Sequence, residues 1–402
     1  MPNYLEKHEP EKQKLRDIPI LPFIAAVFFV LTFALKAFTD GPYIRGEISS
    51  TVAYLKYATA LISCVAALFY ALDGRETKFI TEFNKLMIVA AIFGLVTFTL
   101  QLVMNHFSVA GIIELVKFCM PIILAYCILN ALNEEQLYHC MVAILVVSWV
   151  GYAVELSSQG ASFLSFFAAD FVSFNSDTES ATFSDLSLML TFYFCYVRRS
   201  RVASFASMLM CIMSFKRLAM LVSVLVWVAS SLSPTVGSMR ISKRVIFTFK
   251  VCTIAVVALW FWILLPQNEP LFIQIFGRAP FEFTMGRSTS LRYLLDKNFV
   301  SWGFGSTNEV IQHVFGVPFE MDLIKIAIEL TPIVMVVFVW LFWDVAGSSI
   351  WGFCIVGFFM LNMITSDSLA SNFSFSLAYV VIGLVNTGDA SAFSNGIEKS
   401  CG

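Results

Sequence analysis

Long apolar stretches separated by short polar connections run through the chain from residue 20 almost to its C-terminus. A helix crosses the hydrocarbon core of a bilayer with about 20 residues, since the core is about 30 Å thick and each residue rises about 1.5 Å. Stretches that meet this requirement fall near 20–38, 51–72, 85–104, 109–131, 140–157, 183–197, 246–265, 323–343, 350–365 and 375–387. The pattern predicts an all-α polytopic integral membrane protein built as a single membrane domain over 1–402.

Lys and Arg in the connections set the orientation, because cytoplasmic loops carry the excess of positive charge. One set of connections holds Lys7, Lys12, Lys14 and Arg16, then Arg75, Lys78 and Lys85, then Arg198, Arg199 and Arg201, then Arg240, Lys243 and Arg244. The alternating set is nearly bare, with Arg45 in the first connection, His106 in the second and no Lys or Arg in 158–182. The first set is therefore read as cytoplasmic. The stretch between Arg201 and Arg240 must then go out and return, which leaves roughly 17 residues per leg, about 25 Å of helix. Its tip falls at Ser214-Phe215-Lys216-Arg217. One continuous helix would instead bury Lys216 and Arg217 near the midplane at about 2.5–3.5 kcal/mol per charge. Counting this hairpin as two legs gives about twelve transmembrane helices, with cytoplasmic tails at 1–17 and 388–402. Residues 266–322 form one long extracytoplasmic loop. It is rich in Phe, Leu, Trp and Gly, and is expected to fold back onto the outer leaflet with a short helix at Ser288–Phe299.

Composition strengthens the membrane reading. Of 402 residues 58% are hydrophobic and 13% charged, with 41 phenylalanines and a mean hydropathy of +0.79; soluble chains carry about 25% charged residues. A net charge of −2 gives no basic surface for nucleic acid. The nine cysteines lie in or beside apolar runs or in the C-terminal tail, and none forms a CxxC pair. Neither a disulfide framework nor a metal cluster is expected.

Four groups of charges carry candidate chemistry. Lys216 and Arg217 at the hairpin tip read either as snorkelling side chains or as a functional pair on the side where the orientation rule disfavours them. Arg278, Arg287 and Arg292 in the long loop read as partners of that loop's acids; alternatively, Arg217 with Arg287 or Arg292 forms a fork of donors for a diphosphate. An ideal helix sets Arg287 and Arg292 about 140° apart, so both face one ligand only if a helix starts between them. Glu320 and Asp322 stand before the span at Leu323 and fit either two carboxylates that deprotonate a hydroxyl or a polar helix start. Glu114 and Lys117 pair on one helix face. Lys325 and Glu329 border the acidic pair and can neutralise each other. His313 shows no partner and reads as structural. Gly303-Phe304-Gly305 reads as a tight turn where backbone approaches a ligand or another helix.

The order of these pieces resembles the Wzy-type O-antigen and capsule polymerases, within the superfamily that includes O-antigen ligases. The resemblance rests on residues 202–343: a hairpin tip with Ser-x-Lys-Arg, a span, then a loop running MGRSTSLRYLLDKNFVSWGFGS and ending in FEMDLIKIAIEL. Arg292 precedes Gly303 by an Arg-x10-Gly spacing similar to one described in such polymerases. The resemblance implies a metal-independent, inverting glycosyltransferase of the bacterial inner membrane with no cofactor. Undecaprenyl-diphosphate-linked oligosaccharide serves as both donor and acceptor. A chain-length regulator and a flippase of the same pathway would be its partners. Arg217, Arg287 and Arg292 are then expected at the diphosphate. Ligases usually show a His-Asn pair where Glu320 and Asp322 stand, and its absence here favours a polymerase over a ligase. A polytopic transporter or flippase of lipid-linked sugars is the remaining reading; it predicts midplane ionisable residues and broken helices.

Overall fold

A computed structural model of the chain describes residues 20–71, 77–158, 181–232, 239–366, 369 and 373–386. The two expected cytoplasmic tails, Arg75, Cys401 and most of the 158–182 connection lie outside the described residues. Regular structure among the described residues is helical, apart from one isolated bridge between Arg240 and Ser349. Helices α1 (Ile20–Ile44), α2 (Ser50–Ala71), α3 (Ile80–Val103), α4 (Val109–Ala131) and α5 (Glu134–Ser158) come first. Then follow α6 (Ala181–Phe192) with a π turn at Tyr193–Val197, α7 (Arg201–Met213), α8 (Arg217–Leu232) and α9 (Lys243–Ile263). Short helices α10 (Glu269–Phe276), α11 (Pro280–Phe283), α12 (Arg287–Asp296) and α13 (Ser306–Phe315) lead to α14 (Asp322–Glu329), α15 (Pro332–Val345), α16 (Ile350–Thr365) and α17 (Ser374–Asn386).

Six of these, α1 to α5 and α9, are 21 to 25 residues long and apolar enough to cross a bilayer. At about 1.5 Å per residue each is long enough to cross the hydrocarbon core. Their outward faces are apolar, as with Leu95, Phe98 and Leu102 of α3, which are 70%, 51% and 82% exposed. Water would not tolerate such a surface; lipid does. The protein is membrane-embedded.

Local chemistry moves the helix ends away from the hydropathy boundaries. α5 begins at Glu134, six residues before the apolar run, because Asn133 and Gln136 cap it reciprocally: the Gln136 N–H donates to Asn133 Oδ1 at 2.9 Å and the Asn133 N–H to Gln136 Oε1 at 3.1 Å. α1 continues past Phe38 through Asp40, Gly41 and Pro42, a string that reads as a turn. Asp40 stays buried there because Lys36 Nζ reaches it at 2.9 Å and Lys56 of α2 pairs with its other oxygen.

The expected continuous span 323–343 is corrected. It breaks into α14 and α15 at Leu330–Thr331, where Thr331 takes φ 128° and Pro332 starts the second helix. Proline has no N–H for the ladder and its ring bars the preceding residue from helical torsions. The Thr331 hydroxyl then caps α15 by accepting the Val334 N–H at 3.3 Å.

The core lies around α17, which packs against α4, α6 and α16 and is buried from Ser374 to Leu384. Gly383 admits this closeness: a Cβ there would stand 2.6 Å from Leu129 Cδ1. Polar contacts join neighbouring helices at two ends of the bundle. At the far end Asn386 Nδ2 donates to Glu82 Oε1 at 2.9 Å and Lys85 Nζ to the Asp344 carbonyl at 2.9 Å. At the other, the loop end, Lys216 lies 3.7 Å from Asp185 and Ser108 Oγ donates to Glu309 at 2.9 Å.

Candidate functional site

The site grows from the connection between α9 and α14. Its sequence Trp302-Gly303-Phe304-Gly305 turns into a groove between α3 and α4. Gly303 has φ 121°, and a Cβ there would lie 2.6 Å from Thr97 Cγ2; Gly305 has φ 89°, and its Cβ would lie 2.8 Å from Glu114 Cγ. Gly111 of α4 makes room in return, since its Cβ would lie 2.9 Å from the Phe304 carbonyl oxygen. The Phe304 N–H donates to Thr97 Oγ1 at 3.1 Å. The close approach expected of this turn is thus made to two helices. Gly305→Ala is expected to cost about 1–3 kcal/mol, from its left-handed torsion and the contact with Glu114. Gly277→Ala, with φ 69° and open space around it, is expected to cost distinctly less. Thermal midpoints of the solubilised variants check this ordering.

The turn delivers α13 onto a buried carboxylate. The Gly305 and Thr307 N–H groups donate to the two oxygens of Glu329 at 2.8 Å each, and Thr307 Oγ1 donates at 2.5 Å. These donors sit at the start of α13, where a helix has unsatisfied N–H groups and favours negative charge. One turn earlier, Lys325 Nζ lies 3.5 Å from Glu114 Oε2, while Lys117 Nζ donates to Glu114 Oε1 at 3.0 Å. The expected Glu114–Lys117 pair is present, and Glu114 also carries Lys325. Charges of alternating sign therefore run from Lys117 through Glu114 and Lys325 to Glu329, joining α4, α14 and α13.

Between α4 and α13 the loop end opens a cleft of about 300 Å³. Tyr54, Glu114, Lys117, Asn308, Glu309 and His313 are among the residues that line it. Lys117 Nζ stands 6.0 Å from the Tyr54 ring centroid. Glu309 is fixed by Ser108 Oγ and, at 3.3 Å, by the Trp302 indole N–H. Asn308 uses its Oδ1 to accept the Phe319 N–H at 2.9 Å, tying the far side of the loop to α13. A cation, two carboxylates, an imidazole and an aromatic face suit a ligand with both anionic and hydroxyl groups.

Other candidate residues take different places. Arg287 opens α12 and forms an ion pair with Glu320, besides donating to the Thr284 carbonyl at 3.5 Å. Arg292 lies in the same helix, 3.5 Å from Glu269 and 3.9 Å from Asp296. Because α12 starts at Arg287 and not between the two arginines, they stay about 140° apart and do not converge. Glu320 and Asp322 also diverge. Met321 takes φ 108° between them; Glu320 turns to Arg287, and Asp322, fully buried, accepts the Leu369 N–H at 2.8 Å. Lys216 faces the buried Asp185. Arg217 opens α8, which packs on α6, α7 and α16, while Arg287 and Arg292 ride on α12 against α11 and α13. Arg278 is exposed after the left-handed Gly277 that ends α10.

The structure therefore gathers Glu114, Lys117 and His313 at one cleft and pairs Arg287 and Arg292 with different acids. Tyr54, Asn308, Glu309, Gln312 and the anchor Glu329 complete the arrangement. Part of this was available as spacing: Asn308, Glu309, Gln312 and His313 stand at i, i+1, i+4 and i+5, one polar face of a helix. Compared with known proteins, the chain matches no family model, no curated protein and no solved structure.

Proposed function

We propose that this membrane-embedded protein is a glycosyltransferase that joins lipid-linked oligosaccharide repeats, a polymerase of the O-antigen, capsule or exopolysaccharide type. One observation carries the reading: the neighbouring Glu114 and Lys117 of α4 and the sequence-distant His313 of α13 line a single cleft where the long loop seals the bundle. We place twelve helices across the bacterial inner membrane, with α6, α7, α8, α15, α16 and α17 joining the six long ones. In this arrangement the far end faces the cytoplasm. That end gathers Lys78, Lys85, Arg198, Arg199, Arg201, Arg240, Lys243 and Arg244 near helix ends, as the orientation rule requires. The cleft then opens at the outer side, where a polyprenyl diphosphate headgroup lies.

In the proposed reaction a sugar hydroxyl of one repeat attacks the anomeric carbon of another. The bond from that carbon to the diphosphate oxygen breaks, with inversion, and polyprenyl diphosphate leaves. Lys117 offsets the charge that develops on the diphosphate and His313 donates a ring N–H to it, both in positions set before the reaction. Glu309, held by Ser108 and Trp302, accepts the hydroxyl proton. Glu309 lines the cleft, whereas Glu320 pairs with Arg287 and Asp322 accepts the Leu369 N–H away from that lining.

A transporter of lipid-linked sugars is the second reading, favoured by the break at Leu330–Thr331 beside the buried Lys325 and Glu329. Glu329, however, is buried and consumed in holding α13. A strain lacking this protein and supplied with Lys117→Ala separates the readings. The polymerase predicts surface glycan reduced to single repeats with the protein still inserted; long chains of normal distribution would remove Lys117 from the site. Arg217→Ala in the same assay tests the hairpin tip independently.

A further inference from the structure

We infer that α10 and α11 form an interfacial foot, inserted among the headgroups and upper acyl chains of the leaflet at the loop end. Depth is the first argument. α9 ends at Ile263, and Trp260 lies three residues, about 4.5 Å, below that end. The Trp260 ring packs against Phe272, Phe276 and Phe283 at centroid distances of 6.2, 6.5 and 6.2 Å. The chain therefore leaves α9 and bends back to the level of its last turn. Asn268 fixes the bend by donating from Nδ2 to the Trp262 carbonyl at 2.6 Å.

Surface chemistry is the second argument. At this depth Ile275 and Phe281 are 56% and 60% exposed, with Leu271 and Ile273 also outward. α10 buries only Phe272 and α11 only Pro280. An apolar face of this size beside the end of a membrane-crossing helix is covered by lipid, as in helices that lie in the plane of the interface. Glu269 opens α10, Arg278 stands in the turn after it and Glu282 lies within α11, all at least partly exposed where headgroups and water reach them. α12 behaves oppositely: it buries Leu291 and Leu294 in protein and ends in the exposed Asp296-Lys297-Asn298. The leaflet contact expected of the 266–322 loop thus belongs to 269–283. This inference rests on α9 crossing the bilayer and not on the enzymatic reading.

Photocrosslinking tests it in bilayers of phosphatidylethanolamine and phosphatidylglycerol, using the whole protein with benzoylphenylalanine in place of Phe281 or, separately, of Asp296. The foot predicts a phospholipid adduct, read by mass, several-fold more abundant at 281 than at 296. Position 275 gives the same reading should the 281 variant fail to accumulate. Equal lipid adducts at 281 and 296, or adducts to a second copy of the chain or another protein in place of lipid, would overturn the assignment.

Discussion

Glu329→Ala is expected to destabilise the solubilised protein by about 3–5 kcal/mol, the cost of removing one partner from a buried charge network. The substitution strips three donors at once, the Gly305 and Thr307 N–H groups and the Thr307 hydroxyl, and leaves Lys325 with Glu114 as its remaining acidic partner among those described above. The start of α13 would then point N–H groups into a dry space. Glu329→Gln retains one acceptor but turns an amide N–H2 toward a donor, so its cost should be smaller, about 1–3 kcal/mol. Because α13 carries Asn308, Glu309 and His313, loss of the anchor should also loosen the cleft. Hydrogen exchange of residues 303–315 reports this directly: faster exchange in Glu329→Ala than in Glu329→Gln is expected. Unchanged protection in both would mean that the carboxylate does not hold the loop.

Asp40→Asn should have an effect of similar size, about 3–5 kcal/mol, for a different reason. Asp40 is a carboxylate that both Lys36 and Lys56 reach, and all three side chains are buried between α1 and α2. Without its charge two ammonium groups repel each other in a low-dielectric setting. Adding Lys56→Met should recover part of the loss, because one cation no longer lacks a counter-charge. A double-mutant cycle measures the coupling, expected to be well above the few tenths of a kcal/mol seen for independent sites. Simple additivity would show that water reaches the group.

Much of the fold was legible as hydropathy because lipid imposes a strong, one-dimensional rule. Helix α4 runs from Val109 to Ala131, as the apolar stretch predicts, and the hairpin tip falls between Met213 and Arg217, where the paired positive ends require it. What hydropathy misses is local chemistry that outweighs the average. Pro332 breaks a stretch whose mean character remains apolar, and the Asn133–Gln136 cap extends α5 into polar sequence.

The site was legible in part. Glu114 and Lys117 were visible as an i, i+3 pair, but their link to Lys325 is a tertiary contact between α4 and α14 that no spacing displays. The arginines illustrate the opposite case. In one dimension Arg287 or Arg292 is a partner for Arg217 in a fork, yet local acids pair with each of them. Tyr54 leaves no signal in the sequence at all; it matters only because α2 packs beside α4.

The most direct test of the central claim uses purified protein in liposomes supplied with undecaprenyl-diphosphate-linked oligosaccharide. Polymerisation predicts a ladder of longer lipid-linked glycans with one undecaprenyl diphosphate released per bond formed, and loss of both products with Lys117→Ala. Movement of intact lipid-linked sugar between leaflets, with neither a ladder nor released diphosphate, would contradict the account.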